Sequence, residues 1–325
     1  MAIISDTPRL SDLPPPPTGK RRWPWTDEMS TSSDAMEHGK PWPRITVVTP
    51  SYNQGEFIEE TIRSVLLQGY PNLEYIVMDG GSTDESIAIV RKYEPWLAHW
   101  ESVRDRGQSH AINKGLALAT GPIFNWINSD DLLTPNALLQ VALAFEQDGD
   151  SVAGNIIYFG LGEDREYPNA NLTPLGLMQN SISLQQPSLW LKTDYVVACG
   201  GINERFQYAF DWDLTIRYLN LFPKVTYISS VLSKFRLHED SKTVSHQDKF
   251  SEEMILALED MISRDDFAHL NQDCKRVLRS RQMYRVITSL RHQERGVLLR
   301  LLRLAIRNPD VLRLRFFWGA ILQSL

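Results

Sequence analysis

Two runs of β-branched and apolar residues, Ile45-Thr-Val-Val-Thr49 and Glu74-Tyr-Ile-Val-Met78, stand on either side of a stretch with helical period. That order constrains the fold more than any other feature of the chain. The intervening stretch places Ile58, Ile62, Val65 and Leu66 on one face. Its start carries Glu56, Glu59 and Glu60, where carboxylates meet the positive end of a helix dipole. Gly69-Tyr-Pro71 ends it. The second strand runs into Asp79-Gly-Gly-Ser-Thr-Asp84 and a further helix to about Tyr93, with Ser82 and Glu85 at capping-box spacing. Strand, helix and strand in succession join a parallel pair, because parallel strands need a long crossover. The expected fold class is α/β, a mostly parallel twisted sheet flanked by helices.

Later segments extend the pattern. A weak strand is expected from His99 to Val103. A turn at Asp105-Arg-Gly-Gln-Ser109 follows, with Ser109 capping a helix from His110 to Ala119. Gly121-Pro122 precedes a buried strand, Ile123-Phe-Asn-Trp-Ile127. Thr134 and Pro135 open a helix that buries Leu138, Val141, Ala142 and Phe145. Val152–Phe159, Val225–Ile228 and Leu232–Leu237 read as strands. Leu172–Asn180, Thr193–Cys199 and Phe210–Leu221 read as helices.

The domain boundaries follow composition. Residues 1–43 form a proline-rich N-terminal arm, residues 44–240 the α/β domain, and residues 241–325 a C-terminal helical extension. Pro14–Pro17 favours polyproline II. Trp23, Trp25 and Trp42 either pin the arm to the domain or ride on a floppy segment. From Arg291 onward seven arginines meet only Glu294 and Asp310, interleaved with Leu298, Leu299, Leu301, Leu302, Leu304 and Ile306. Such a stretch suits peripheral contact with an anionic membrane surface, or a hairpin packed on the domain with its arginines facing water.

A net charge of -6 argues against a nucleic-acid partner. Cys199 and Cys274 lie too far apart in sequence to suggest a disulfide framework or a metal cluster, which suits a reducing cytoplasm. The first residues lack the apolar core of a signal peptide. No run reaches the roughly 18 apolar residues of a membrane span. A cytoplasmic location is expected, with peripheral attachment to the inner membrane face through the basic extension.

Chemistry gathers where strands end. Asp130 and Asp131 close the strand at Ile123, and adjacent carboxylates there repel each other and resist desolvation. A cation shared with a polyphosphate removes both penalties; solvated turn residues are the bland alternative. Asp211 opens a helix and Asp213 falls in its first turn, so each could serve as a base or simply favour the helix start. Trp212 offers a flat face to a sugar or belongs to the core. Lys114 and Arg106 are cations near the same loops, as are any solvated surface charges.

Taken in order, Thr49-Pro-Ser-Tyr-Asn53, Asp79-Gly-Gly-Ser-Thr-Asp84, Asn113-Lys-Gly115, Asn128-Ser-Asp-Asp131, Gln186-Pro187, Asp211-Trp-Asp213 and His238 resemble a family 2 glycosyltransferase of the GT-A fold. The resemblance covers roughly residues 44 to 240. It implies an inverting transferase with a nucleotide-diphospho-sugar donor, expected to be a UDP-sugar, assisted by Mg²⁺ or Mn²⁺. It further implies a saccharide or lipid-linked acceptor in bacterial cell-surface polysaccharide or glycolipid assembly. Carried over, Thr49, Pro50, Ser51, Tyr52, Asp79, Asn113, Ser129 and Asp130 bind the donor, and Asp131 with His238 holds the metal. Asp211 is the general base, and Gln186 (with Gln185) and Trp212 meet the acceptor.

The chain departs from the family pattern at Gly80, where an acid that reads the base is usual. It departs again at Asn128 and Phe210, each in place of an acid. A sugar nucleotidyltransferase would carry a Gly-rich phosphate loop after the first strand, and a nicotinamide dehydrogenase a Gly-x-Gly-x-x-Gly there; Pro50-Ser-Tyr-Asn53 stands instead. A non-catalytic scaffold of the same fold would tolerate loss of Asp131 and Asp211, yet both are present.

Overall fold

The computed structural model describes residues 7–30, 35–36, 39–239, 241–242, 246–291, 297–307, 312 and 315–322. The chain divides into two compact units, Met1–Gln247 and Asp248–Leu325.

The first unit is built on one sheet. Its strands are β1 (Ile45–Ser51), β2 (Leu73–Asp79), β3 (His99–Ser102), β4 (Ile123–Trp126), β5 (Leu132–Leu133), β6 (Ser151–Phe159), β7 (Arg165–Tyr167), β8 (Leu189–Lys192) and β9 (Val225–Arg236). They lie in the order β3-β2-β1-β4-β8-β6-β9-β5, with β7 on the side of β6. β3, β2, β1 and β4 are mutually parallel. β8 runs antiparallel to β4 and β6, while β9 returns parallel to β6. Two expected strands, Val225–Ile228 and Leu232–Leu237, are one strand with register shifts opposite Ala153 to Ile156. A bulge inserts residues without ending a strand, so the hydrophobic pattern breaks while the ladder continues. β5 and β7 had no signal at all, being too short to show a period.

Helices α1 (Ile58–Leu66), α2 (Ser86–Tyr93), α3 (Gln108–Leu118), α4 (Ala137–Ala144), α5 (Pro174–Gln179), α6 (Thr193–Ala198) and α7 (Phe210–Leu221) complete the unit. One face of the central sheet buries Ile45, Val47, Tyr75 and Val77 against Ile58, Ile62 and Val65 of α1. Several expected caps have other partners. Thr134 donates to the Val231 carbonyl (2.5 Å), and Ser109, inside α3, donates to the Phe206 carbonyl (2.5 Å). Each hydroxyl finds a carbonyl from a distant element, which a local sequence window cannot contain.

The described arm residues lie against this unit. Trp25 and Trp42 are buried, and the Trp23 indole donates to the Leu133 carbonyl (2.8 Å). Arg63 of α1 is fully buried, and its guanidinium donates to the carbonyls of Pro14, Pro24 and Trp25 and to the Tyr93 hydroxyl. The Trp25 ring lies 5.3 Å from the same cation. A buried charge is tolerated when every donor is satisfied, and here the arm supplies the acceptors.

The second unit is helical: most of α8 (Gln247–Ile262), then α9 (Asn271–Arg291), α10 (Val297–Arg307) and α11 (Arg315–Leu322). Ile287, Leu301, Ala305, Phe317 and Ala320 form a small core between the last three. Among the described residues no helix is long and apolar enough to cross a membrane.

Candidate functional site

The four parallel strands end at one edge, the edge at which open α/β sheets bind ligands. Ser51 pairs in register with Asp79, and Asp79 with Ser102, so the loops after β1, β2 and β3 are neighbours. Along β1 every residue is buried. Thr49, expected at the donor, is fully buried and shares a hydrogen bond with the Tyr75 hydroxyl (3.0 Å). Pro50 is also buried. Ser51 is buried with a hydroxyl that has no partner among the described residues. Tyr52, at 61% exposure, is the member of this group that projects into solvent.

Asp79, expected at the donor, is engaged within its own loop and by Ser102. Its carboxylate accepts from the Gly81 N–H (3.0 Å), the Ser82 N–H (2.8 Å), the Ser82 hydroxyl (2.5 Å) and the Ser102 hydroxyl (2.6 Å). Ser82 in turn accepts from the Asn53 N–H (2.7 Å), so it is not the helix cap its spacing suggested. Asp84 accepts from Ser86 N–H (3.0 Å) at the start of α2, and from Gly55 N–H (2.8 Å). A residue that sequence reasoning passed over stands beside this loop. A Cβ placed on Gly80 would lie 2.8 Å from Oδ2 of Asp105, so the Asp105 carboxylate occupies the space into which a side chain at position 80 would grow. Its Oδ1 accepts from the Gly107 N–H (2.8 Å). The turn Asp105-x-Gly107 was the only signal, and it reads as an ordinary turn.

The loop after β4 separates its two acids. Asp131 is fully buried. Its Oδ1 accepts from the Arg236 N–H (3.0 Å) and its Oδ2 from the Asn128 amide (3.0 Å). Burial first, and then the charge of Asp130, push its pKa well above the usual carboxylate range; Arg236 and Asn128 pull it back in part. Asp131, the metal ligand expected from the sequence, thus has both oxygens on protein donors. Asn128 now has a reason, since a third acid here would repel Asp131, whereas an amide donates to it. Asp130 faces the other way. Its Oδ2 lies 3.1 Å from Nε2 of His238, and the two side chains are 23% and 21% exposed. His238 follows the end of β9, and its ring lies 5.0 Å from that of Phe57.

Three residues without a local signal hold this loop. Thr61 donates to the carbonyls of Ser129 (2.9 Å) and Asp131 (2.8 Å), and Ser129 itself is buried. Arg236 donates through Nε to the Asp130 carbonyl (2.9 Å) and through a terminal nitrogen to Glu60 (2.9 Å). Glu60 also accepts from the Trp25 indole (3.3 Å), which ties the arm to the loop.

The remaining expected residues part ways. Asp211 is half-buried at the start of α7, and its Oδ1 accepts from the Trp212 N–H (2.8 Å). The Tyr158 hydroxyl, which donates to Gln185 (2.8 Å), has a pKa pushed up to about 12 by burial, then by Asp131, Tyr167 and Asp211, so both acids lie within electrostatic reach of one phenol. Asp213 is buried against Arg217 (2.7 Å) and is structural. Trp212, for which a sugar contact or a core role was expected, is buried, and its indole donates to the Leu177 carbonyl (2.9 Å). Gln186 is buried, and its amide donates to the Asn125 side chain (2.8 Å) and the Trp126 carbonyl (3.1 Å). Asn113, expected at the donor, donates to the Ile202 carbonyl and Glu204 and accepts from the Ile202 N–H, which fixes the loop after α6. Lys114 pairs with Glu101, and Arg106 with Glu204.

The arrangement offers one carboxylate and one imidazole to an ion. Among the described residues no three His, Cys, Asp or Glu side chains converge as a metal site. Two protein ligands fit an ion that fills its other positions with phosphate oxygens and water, as Mg²⁺ commonly does; an imidazole also suits Mn²⁺.

Comparison with known proteins follows the same lines. A model of the family described as Glycosyl transferase family 2 matches residues 46–210. An uncharacterized glycosyltransferase of Rickettsia typhi is 27% identical over 217 residues, 62% of this chain and 66% of that protein. One from Mycobacterium tuberculosis is 35% identical over 109 residues, 33% of this chain and 42% of that protein. The match thus spans less than two thirds of either relative. Among solved structures, S. aureus TarS 1–349 in complex with UDP-GlcNAc aligns with a TM-score of 0.60 at 21% identity, covering 72% of this chain and 71% of that one. Mannosyltransferase PcManGT from Pyrobaculum calidifontis, in complex with GDP-Man and Mn2+, aligns with a TM-score of 0.53 at 18% identity, covering 87% and 88%. At these identities the structures speak for the shared GT-A-type fold.

Proposed function

The chain belongs to glycosyl transferase family 2, and from that premise we propose that it moves one sugar from a nucleotide diphosphate to a hydroxyl acceptor, with inversion at the anomeric carbon. The observation that carries this reading is the meeting of Asp130 and His238, 3.1 Å apart although 108 residues separate them in sequence, at the edge where the parallel strands end. Asp130 and His238 are the residues that would hold a divalent ion, Mg²⁺ or Mn²⁺. Bound there, the ion would neutralise charge on the two phosphates of the donor.

The nucleotide end of the donor falls to the loops after β1, β2 and β3. Tyr52 provides an exposed ring for the base, and the Ser51 hydroxyl an unspent hydrogen-bonding group. Asp105 provides an acceptor for a ring N–H, in place of the acid that Gly80 lacks. Uracil and guanine present such an N–H and cytosine does not, which favours a UDP-sugar and leaves GDP-sugars compatible. The nucleotide-sugar complexes of TarS and PcManGT agree with a donor of this class.

At the other end, Asp211 accepts the proton of the acceptor hydroxyl. The hydroxyl oxygen bonds to the anomeric carbon as the bond from that carbon to the diphosphate oxygen breaks, and a single displacement inverts the centre. Asp213 is buried in an ion pair with Arg217, whereas Asp211 is half-buried at the start of α7, so the task is assigned to Asp211. The acceptor class is a saccharide or lipid-linked hydroxyl, in keeping with assembly of surface polysaccharide or glycolipid.

Titration calorimetry with UDP, with and without Mn²⁺, and a screen of nucleotide-sugars for metal-dependent hydrolysis or transfer test the reading. Metal-dependent binding is expected. Absence of any nucleotide binding would mark the protein as a non-catalytic scaffold. Asp211→Asn is expected to keep donor affinity and abolish transfer, and full transfer by that variant removes Asp211 as the base.

A further inference from the structure

The second unit carries a surface that the proposed chemistry does not use. Residues 275–325 contain 12 of the 34 basic side chains of the chain, but only Glu294 and Asp310 of its 40 acidic ones. The protein as a whole has a net charge of -6, so the positive charge is concentrated in the C-terminal part of an acidic chain. Such asymmetry points to a negatively charged partner.

Helix α10 shows how that partner is met. At about 100° per residue its side chains fall into three stripes. Leu301 and Ala305 are buried in the small core, with Leu304 packed beside them. Leu299, Leu302 and Ile306, spaced three and four apart, form a second apolar stripe that is 64%, 46% and 79% exposed. Arg303 stands on the flank of that stripe, one residue after Leu302, and is exposed. On α11, Trp318 and Leu322 are likewise exposed, four residues apart. A hairpin that merely turned its arginines to water would bury its leucines, and this one leaves three large aliphatic side chains outside.

We infer that this face is a docking surface for an anionic lipid bilayer, with Leu299, Leu302 and Ile306 entering the headgroup boundary and the flanking Arg303 meeting lipid phosphate. Charge selects this occupant over a second copy of the chain, because two copies of the face would bring like-charged arginines together. Amphipathic helices with basic flanks bind this way without spanning. The inference is independent of the transferase reading.

The test is sedimentation of the full chain with phosphatidylcholine vesicles, with and without phosphatidylglycerol. Binding is expected only to the anionic vesicles and is expected to fall with added salt. L302E/I306E is expected to lose at least about tenfold in partitioning, and Arg303→Gln about fivefold. All three positions are exposed, so melting temperature and UDP affinity are expected to match the parent. Equal binding to neutral vesicles, or full binding by L302E/I306E, overturns the inference. A concentration-dependent dimer that L302E/I306E dissolves, with no vesicle binding by the parent, assigns the face to self-association and overturns it as well.

Discussion

The loop after β2 and the loop after β4 each bury one aspartate and have a second acid beside it that is less enclosed, but they compensate the burial differently. Asp79 receives four hydrogen bonds from its own loop and from Ser102, so its loop is a closed knot. Asp131 receives two, from Arg236 and Asn128, and its pKa is driven well above the usual carboxylate range. The partners differ in kind as well. Asp105 comes from the neighbouring loop after β3 and occupies the space in front of Gly80. Asp130 is the immediate chain neighbour of Asp131 and turns to His238. In both places a buried acid shapes the backbone and a second acid beside it is more open.

The comparison breaks or sharpens under substitution. The largest effect is expected at Asp130. Asp130→Ala should lower metal-dependent turnover by about a hundredfold or more with little change in melting temperature, the size typical of losing one group that stabilises charge at a reacting centre. Asp79→Ala comes next and acts on stability, because four donors lose their acceptor. A cost of roughly 3 kcal/mol in a urea melt is expected. Asp131→Asn should be milder: an amide can accept from the Arg236 N–H, and a neutral group suits that buried site. Metal-dependent turnover should stay within about tenfold of the parent; a loss as deep as that of Asp130→Ala would return Asp131 to the ion and dissolve the contrast between the two acids. The smallest effect is expected for Asp105→Asn. Calorimetry should show the preference for UDP over CDP narrowing by about tenfold, the worth of one hydrogen bond to a charged acceptor; an unchanged preference would leave Asp105 a turn residue.

Much of the first unit was legible. β1, β2 and β4 are continuous apolar runs because both faces of a central parallel sheet are covered. The helices between them show their period because α1 buries one side only. The set of loops that meet at the strand ends followed from that order alone. The intramolecular partners of Thr49, Asn113, Gln186 and Trp212 were not legible for a common reason: each is a polar or aromatic group whose partner lies far along the chain. Tyr75 partners Thr49, Ile202 and Glu204 partner Asn113, Asn125 and Trp126 partner Gln186, and Leu177 partners Trp212. Asp105, Arg236, Glu60 and Thr61 were passed over because a single polar residue in a helix or turn has no distinguishing pattern.

What the sequence determined by itself is the parallel order of the first strands, the position of each loop at their ends, and the membership in a family of sugar transferases. The tertiary structure alone decided which acid of an adjacent pair is buried and which imidazole stands opposite the other. The physical reason is geometric. One step along a turn sends successive side chains in different directions, so Asp130 and Asp131 are alike in the sequence and opposite in space. The partner that distinguishes them, the end of β9, arrives only when the sheet closes.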